Sequence, residues 1–102
     1  MMKAATKQTI KSVVDEAWQG EALNELKNYV RMPCKSKDFD VDWETNGFLL
    51  QVCRNAAAWG RRLFPEAVFE ALTEPGRTPA LFFDIPASGK DNEKAVFFYG
   101  HF

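Results

Sequence analysis

The spacing of apolar residues changes at Pro65, and this change limits what the chain can fold into. Before Pro65 the apolar residues recur every three to four positions, which is typical of one face of an α-helix. After Pro65 they gather in short runs rich in phenylalanine, valine and leucine, bounded by proline, glycine or charged residues, which is typical of β-strands. The chain is therefore predicted to place its helices first and its strands afterwards.

The size and apolar content are those of one domain. The chain has 102 residues, 46% of them hydrophobic, which suits a single core. We predict one α/β domain over residues 1–102, α+β in the order of its elements. Helices are predicted at about 6–18, 21–31 and 42–63, and strands at about 67–72, 79–85 and 94–100.

The helix at 42–63 has the most regular pattern. Glycine lowers helix propensity by roughly 1 kcal/mol relative to alanine. Gly20 is therefore expected to separate the first two helices, whereas Gly47 is expected to lie within the third at some cost. Asp40 or Asp42 is expected to cap the start of this third helix. Its apolar stripe consists of Leu49, Val52, Cys53, Ala56, Trp59 and Leu63.

The strands at 79–85 and 94–100 are apolar almost throughout. Continuous apolar strands are covered on both faces, so both are predicted in the middle of a layered sheet. Residues 86–93 are predicted to form a wide hairpin between them. An uncovered apolar strand at a sheet edge invites another strand. The chain is therefore expected to self-associate, or to receive its cover from sequence beyond residue 102.

Charge and composition exclude several classes of partner. The charges of thirteen basic and fourteen acidic residues nearly cancel. The chain therefore lacks the surplus of basic residues that would predict a nucleic-acid-binding surface. No apolar run is long enough to span a bilayer, which argues against a membrane partner. The N-terminus lacks the apolar stretch of a secretory signal, and a cytoplasmic location is therefore expected.

The two cysteines are predicted to be reduced thiols. Cys34 and Cys53 form no Cys-x-x-Cys pair, and a cytosolic protein keeps its thiols reduced. Cys53 lies on an apolar helix face, where it is expected to pack as a small hydrophobic residue. A catalytic pair of Cys34 with His101, the only histidine, is the alternative, and no local signature supports it.

Three segments of the chain resemble one enzyme family in their order and spacing. The first, LKNYVRMPCKS at 26–36, is followed by Asp38-Phe39 and Trp43; the second is PGRTPALFF at 75–83; the third is VFFYGH at 96–101. Together they look like the opening of the zinc metallopeptidases of family M-twenty. That family includes carnosinase-type dipeptidases, aminoacylases, acetylornithine deacetylase and succinyl-diaminopimelate desuccinylase. The resemblance implies that the three strands are part of the central sheet of a zinc-peptidase catalytic domain.

The third segment resembles the metal motif of the family, hhhYGHhDxQP, in which h is an apolar residue. Residues i and i+2 of a strand point to the same side, so a His-x-Asp at a strand end brings both ligands to one place. The resemblance implies that His101 binds one of two zinc ions and that the aspartate expected after Phe102 bridges both. A glutamate further along would accept a proton from the metal-bound water.

Two departures from the family pattern affect what is expected of this chain. Cys34 stands where the family usually has serine, and the chain ends at Phe102, before the bridging aspartate. We therefore expect an N-terminal piece of a dipeptidase or amidohydrolase, inactive alone and without tight zinc binding. The parent enzyme would act on a dipeptide or an N-acyl amino acid, as a homodimer. The alternative is a small stand-alone α+β module that binds a protein through its exposed strand.

Overall fold

The computed structural model describes residues 6–89 and 94–102. The order of elements confirms the predicted α+β class, with helices first and an antiparallel pair of strands afterwards. None of the helices described is long and apolar enough to cross a membrane. The elements are α1 (Lys7–Ala17), a π-helical turn (Trp18–Ala22), α2 (Leu23–Arg31), a 3₁₀ turn (Lys37–Phe39), α3 (Trp43–Asn46), α4 (Phe48–Leu63), β1 (Val68–Glu74) and β2 (Arg77–Asp84).

The first two helices form one continuous rod. Thr6 caps the start of α1, where its side-chain oxygen accepts a hydrogen bond from the Thr9 N–H at 3.1 Å. The π-helical turn keeps the backbone helical through Gly20, so the predicted break at Gly20 is wrong. The propensity penalty of one glycine, roughly 1 kcal/mol, is small enough for the helical turns on either side to outweigh it.

The predicted helix at 42–63 is divided in two at Gly47. This glycine has φ 72°, in the left-handed region that a residue with a side chain rarely adopts, and it ends α3 and precedes α4. Asp42 occupies the cap position of α3 without a side-chain hydrogen bond. Asp40 holds this loop instead, because its carboxylate accepts the Asp42 N–H at 3.0 Å and the Asn46 side-chain amide at 2.8 Å.

The core lies between α4 and the β-hairpin. Val52, Cys53 and Ala57 are buried on α4, with Ala57 only 1% exposed. Phe69 of β1 is buried against the backbone of α4 at Gly60, close enough that a side chain at Gly60 would collide with its ring. Helix α4 and the β-hairpin are therefore held together by the packing of the Phe69 ring against Gly60.

Aromatic stacking extends this contact across the sheet. The ring of Phe69 stacks with Phe83 of β2 at 5.8 Å and with Phe64, just after α4, at 6.4 Å between centroids. Phe69 and Phe83 are also cross-strand partners in the antiparallel register. The guanidinium of Arg61 donates a hydrogen bond to the Phe69 carbonyl, which ties α4 to the β1 backbone.

The turn of the hairpin is tied back to the helices. Gly76 has φ 77° and follows Pro75, a pairing suited to a tight turn whose third residue has positive φ. The Gly76 N–H donates a hydrogen bond to a carboxylate oxygen of Glu44 in α3 at 3.0 Å. The sheet is therefore anchored to the helical part at the turn as well as through Phe69.

The predicted third strand is not confirmed. Residues 94–102 lie outside any helix or strand, and their aromatic side chains are exposed, with Phe97 at 88%. A strand exists only where a neighbouring backbone accepts and donates its hydrogen bonds, and in the described part of the chain this segment has none. The predicted hairpin at 86–93 includes residues 90–93, which lie outside the described residues.

The expectation that the strand at 79–85 is covered on both faces is wrong in this structure. The two-stranded sheet packs on α4 with one face only, and large apolar side chains of the hairpin, including Leu72 and Phe82, remain nearly half exposed. The sequence pattern correctly identified an apolar strand, whereas the elements described here supply only one layer of cover for it.

Substitution of two glycines by alanine tests the packing of Phe69 against Gly60. We expect Gly60→Ala to lower the free energy of unfolding by about 1–3 kcal/mol, because the new methyl group collides with the Phe69 ring. In Gly20→Ala the methyl group meets nothing within 4 Å. This matched control is expected to raise stability by about 0.5–1 kcal/mol through helix propensity. Urea denaturation measures both, and a Gly60→Ala variant as stable as the parent would contradict the packing described.

Candidate functional site

A concave surface lies between α2 and α4 and forms a groove. It has a volume of about 530 Å³, which is within the range of small-molecule and peptide pockets. One wall is formed by the π-helical turn and α2, the other by α4, and the last residues of the chain close one side. The lining residues are Trp18, Ala22, Glu25, Leu26, Asn28, Tyr29, Val52, Asn55, Ala56, Trp59, His101 and Phe102.

Helical spacing positions the walls of this groove. Val52, Ala56 and Trp59 recur at three- and four-residue intervals and therefore share one face of α4. Leu26 and Tyr29 do the same on α2. The short side chain at Ala56 leaves room between its larger neighbours, so the two facing apolar stripes enclose a groove instead of closing on each other.

An ion-pair cluster joins the two walls at one end. The guanidinium of Arg62, at the end of α4, lies 3.3 Å from the Glu21 carboxylate and 3.9 Å from that of Glu25. These side chains are largely exposed, and surface pairs of this kind contribute at most about 1 kcal/mol each. The cluster therefore links the two walls at this end but adds little to the stability of the fold.

His101, the one residue that the sequence proposes as a metal ligand, lines this groove. Its ring meets Tyr99 edge-on, with 5.8 Å between centroids. The next residue, Phe102, has its ring 5.1 Å from that of Tyr29 on α2. Phe102 therefore contacts α2, and the exposed imidazole of His101 meets the ring of Tyr99.

The described residues do not by themselves fit a zinc site. Among residues 6–89 and 94–102, no three histidine, cysteine, aspartate or glutamate side chains are grouped closely enough to hold a metal ion. Zinc takes four ligands in structural sites and three protein ligands in catalytic ones. His101 supplies one imidazole, so any zinc site that uses it needs ligands from elsewhere.

Trp59 is a feature of the groove that the sequence pattern did not reveal. Its indole Nε1–H is buried and has no hydrogen-bond acceptor among the described residues. An unpaired buried donor costs roughly 1–3 kcal/mol, so a bound group with an acceptor oxygen would be favoured here. In the sequence, Trp59 is only a member of an apolar stripe. The signal that could have identified it is the indole N–H, which usually has a hydrogen-bond acceptor when tryptophan is buried.

The two cysteines and Tyr29 are close enough to influence one another's pKa. Both are free thiols, and Cys53 is buried on α4, as predicted. Burial raises the pKa of the Cys53 thiol above its ordinary value of 9.0, and the neighbouring Cys34 raises it further. Burial likewise raises the pKa of Tyr29, with smaller contributions from Cys34 and Cys53.

Comparison with known proteins assigns no family to this chain. No protein-family model matches it, and a search of curated proteins finds no match. The resemblance to the M-twenty peptidases stays a prediction from the sequence motifs.

The environments of the two thiols predict different reactivity. At pH 8 we expect one thiol, Cys34, to react rapidly with a disulfide reagent such as Ellman's reagent, because it is partly exposed. Cys53 is expected to react at least tenfold more slowly, because burial and a raised pKa leave less thiolate available. The Cys34→Ser variant should retain only the slow phase. A single fast phase from that variant would contradict the burial of Cys53.

Proposed function

We propose that this chain is the N-terminal part of the catalytic domain of a dinuclear zinc peptidase similar to the M-twenty dipeptidases. The parent enzyme would hydrolyse a dipeptide or an N-acyl amino acid with a metal-activated water, and His101 would be one metal ligand. Support comes from three motif-bearing segments in the family order and from helices that precede an antiparallel strand pair.

The exposure of the apolar segment before His101 is the observation that carries the proposal. Val96, Phe97, Phe98 and Tyr99 are each more than 70% exposed. Consecutive side chains of this kind are characteristic of strands buried on both faces. A place inside a larger sheet would cover these residues on both sides and would hold the imidazole of His101 rigidly at the end of a strand.

The total surface supports the same conclusion. The chain exposes 9042 Å², whereas a compact monomer of this size exposes about 5,800 Å². Its radius of gyration is 16.6 Å, compared with about 13 Å for a compact domain of this length. The surplus of roughly 3,200 Å² is several times the 800 Å² that one partner buries in a standard interface. A larger domain would cover part of this surface.

The residues described here contribute one part of the proposed site. Neutral imidazole is the commonest protein ligand for zinc, and His101 would contribute one ring nitrogen. A side chain at Gly100 would meet nothing within 4 Å, so the backbone beside the histidine is open to approach. The other ligands and the general base lie outside these residues, and no catalytic step is assigned to them.

A second function, binding of a protein segment, is favoured by the groove between α2 and α4. Its walls are aromatic, its volume is about 530 Å³, and the buried Trp59 donor has no acceptor. Helix grooves of this type accept an apolar segment from a partner. Protein binding of this kind requires no metal ligands from outside the described residues. It is therefore compatible with a chain that has no catalytic activity.

The coding frame and its complete product test the proposed function. We expect the frame to continue after Phe102 with an aspartate followed by x-Gln-Pro, and the complete product to bind two zinc ions and hydrolyse dipeptides. His101→Ala is expected to lose bound zinc and to reduce hydrolysis by about 100-fold or more, because a catalytic zinc site has only three protein ligands to begin with. Metal analysis and a dipeptide assay measure both effects.

Lys94→Ala is the matched control, since Lys94 lies in the same exposed segment and carries no metal-binding role. It is expected to retain both zinc and activity. A stop codon directly after Phe102 would overturn the proposal and favour the binding module. Full zinc content and full activity in His101→Ala would also overturn it.

A further inference from the structure

The groove between α2 and α4 combines aromatic walls with a single acidic group. Its aromatic residues are Trp18, Tyr29, Trp59 and Phe102. Glu25 is the one carboxylate among the described residues of its lining, and none of those residues is a lysine or an arginine. Aromatic ring faces carry partial negative charge, so rings and a carboxylate together are complementary to a positively charged ligand.

Helical spacing places this carboxylate among the rings. Trp18, Ala22, Glu25 and Tyr29 follow one another at intervals of four, three and four residues, so they share one face of the helical rod. Residues four apart on a helix are neighbours, with about 5–6 Å between their Cβ atoms. Glu25 is therefore next to Tyr29 in the stripe that lines the groove, and Trp18 lies about two turns before it.

The ion pairs at the end of the groove leave negative charge in excess. The guanidinium of Arg62 lies between two carboxylates, at 3.3 Å from that of Glu21 and 3.9 Å from that of Glu25. Its closer partner, Glu21, is not among the residues that line the groove. The Glu25 side chain is 31% exposed and thus partly withdrawn from water, where charges attract one another more strongly than in bulk solvent.

We propose that this groove binds a small quaternary ammonium compound. The methylated nitrogen packs against the ring faces, and the Glu25 carboxylate provides the opposite charge. A quaternary nitrogen has no N–H group, so it leaves no unpaired donor when it packs against an aromatic wall. The unpaired Nε1–H of Trp59 in the same groove favours a ligand that also carries an oxygen. Choline has both parts and serves as the probe.

Isothermal titration calorimetry on the full chain, with EDTA present, tests the charge of the ligand. Choline is expected to bind saturably. The neutral alcohol in which carbon replaces the nitrogen of choline is expected to bind about tenfold more weakly or worse, because it keeps the shape and the hydroxyl group but not the charge. No saturable binding of choline overturns the proposal. Equal affinity for the two compounds also overturns it and favours the apolar protein segment considered above.

Substitution of the carboxylate tests the role of Glu25. Glu25→Gln is expected to weaken choline binding about five- to tenfold, because the amide keeps the size of the side chain and removes its charge. Glu16→Gln removes the same charge from the exposed end of α1, outside the groove, and is expected to bind choline like the parent. Equal affinities of these two variants would overturn the assignment of Glu25 to the site.

Two substitutions of Trp18 test the aromatic wall. Trp18→Leu is expected to weaken choline binding about fivefold, whereas Trp18→Phe is expected to retain most of it, because only phenylalanine keeps a ring face. Trp18 is 43% exposed, so both variants are expected to keep the fold, which circular dichroism checks. Equal losses in the two variants would overturn the role of the ring. No metal is involved, so these outcomes are independent of the zinc-peptidase proposal.

Discussion

The ring of Phe69 against the backbone of Gly60 is the contact on which the rest of this structure depends. A glycine on the inner face of α4 lets the helix and the hairpin approach more closely than any side chain would permit. The ring also stacks with an aromatic residue of the neighbouring strand, Phe83, so one side chain joins the helix to both strands. The buried residues of the described chain all lie on the two elements that meet at this contact.

Packing becomes sparser with distance from that contact. The rod formed by α1 and α2 meets α4 along a groove, and its first half has no buried residue. The segment before His101 is likewise apolar and exposed. Helix α1 and the segment before His101 are therefore the two apolar regions that the described elements leave uncovered.

His101 shows what the sequence motif predicts about a site and what the three-dimensional structure adds to it. The motif before it places an imidazole at the end of an apolar segment, and the structure locates that imidazole beside Tyr99, on the wall of the groove. Zinc chemistry requires several ligands from distant parts of a chain to converge on one point. The sequence of one segment does not show which other ligands lie near it in the folded protein. The motif therefore predicts a metal-binding role for His101 but does not predict the complete zinc site.

Local spacing determined much of this protein from the sequence alone: helices before strands, the apolar face of α4, the strand near residues 79–85 and the burial of Cys53. These features depend on neighbours a few residues apart, which the sequence displays directly. The continuous helix through Gly20 and the division at Gly47 escaped prediction for a local reason, because a single glycine is compatible with either outcome and neither glycine has a neighbour within 4 Å that decides it. The groove beside Trp59 and the lack of cover over residues 94–102 among the described elements were decided by tertiary structure. Both depend on which backbones and side chains meet across space, and an apolar run is compatible with several such arrangements until its neighbours are in place.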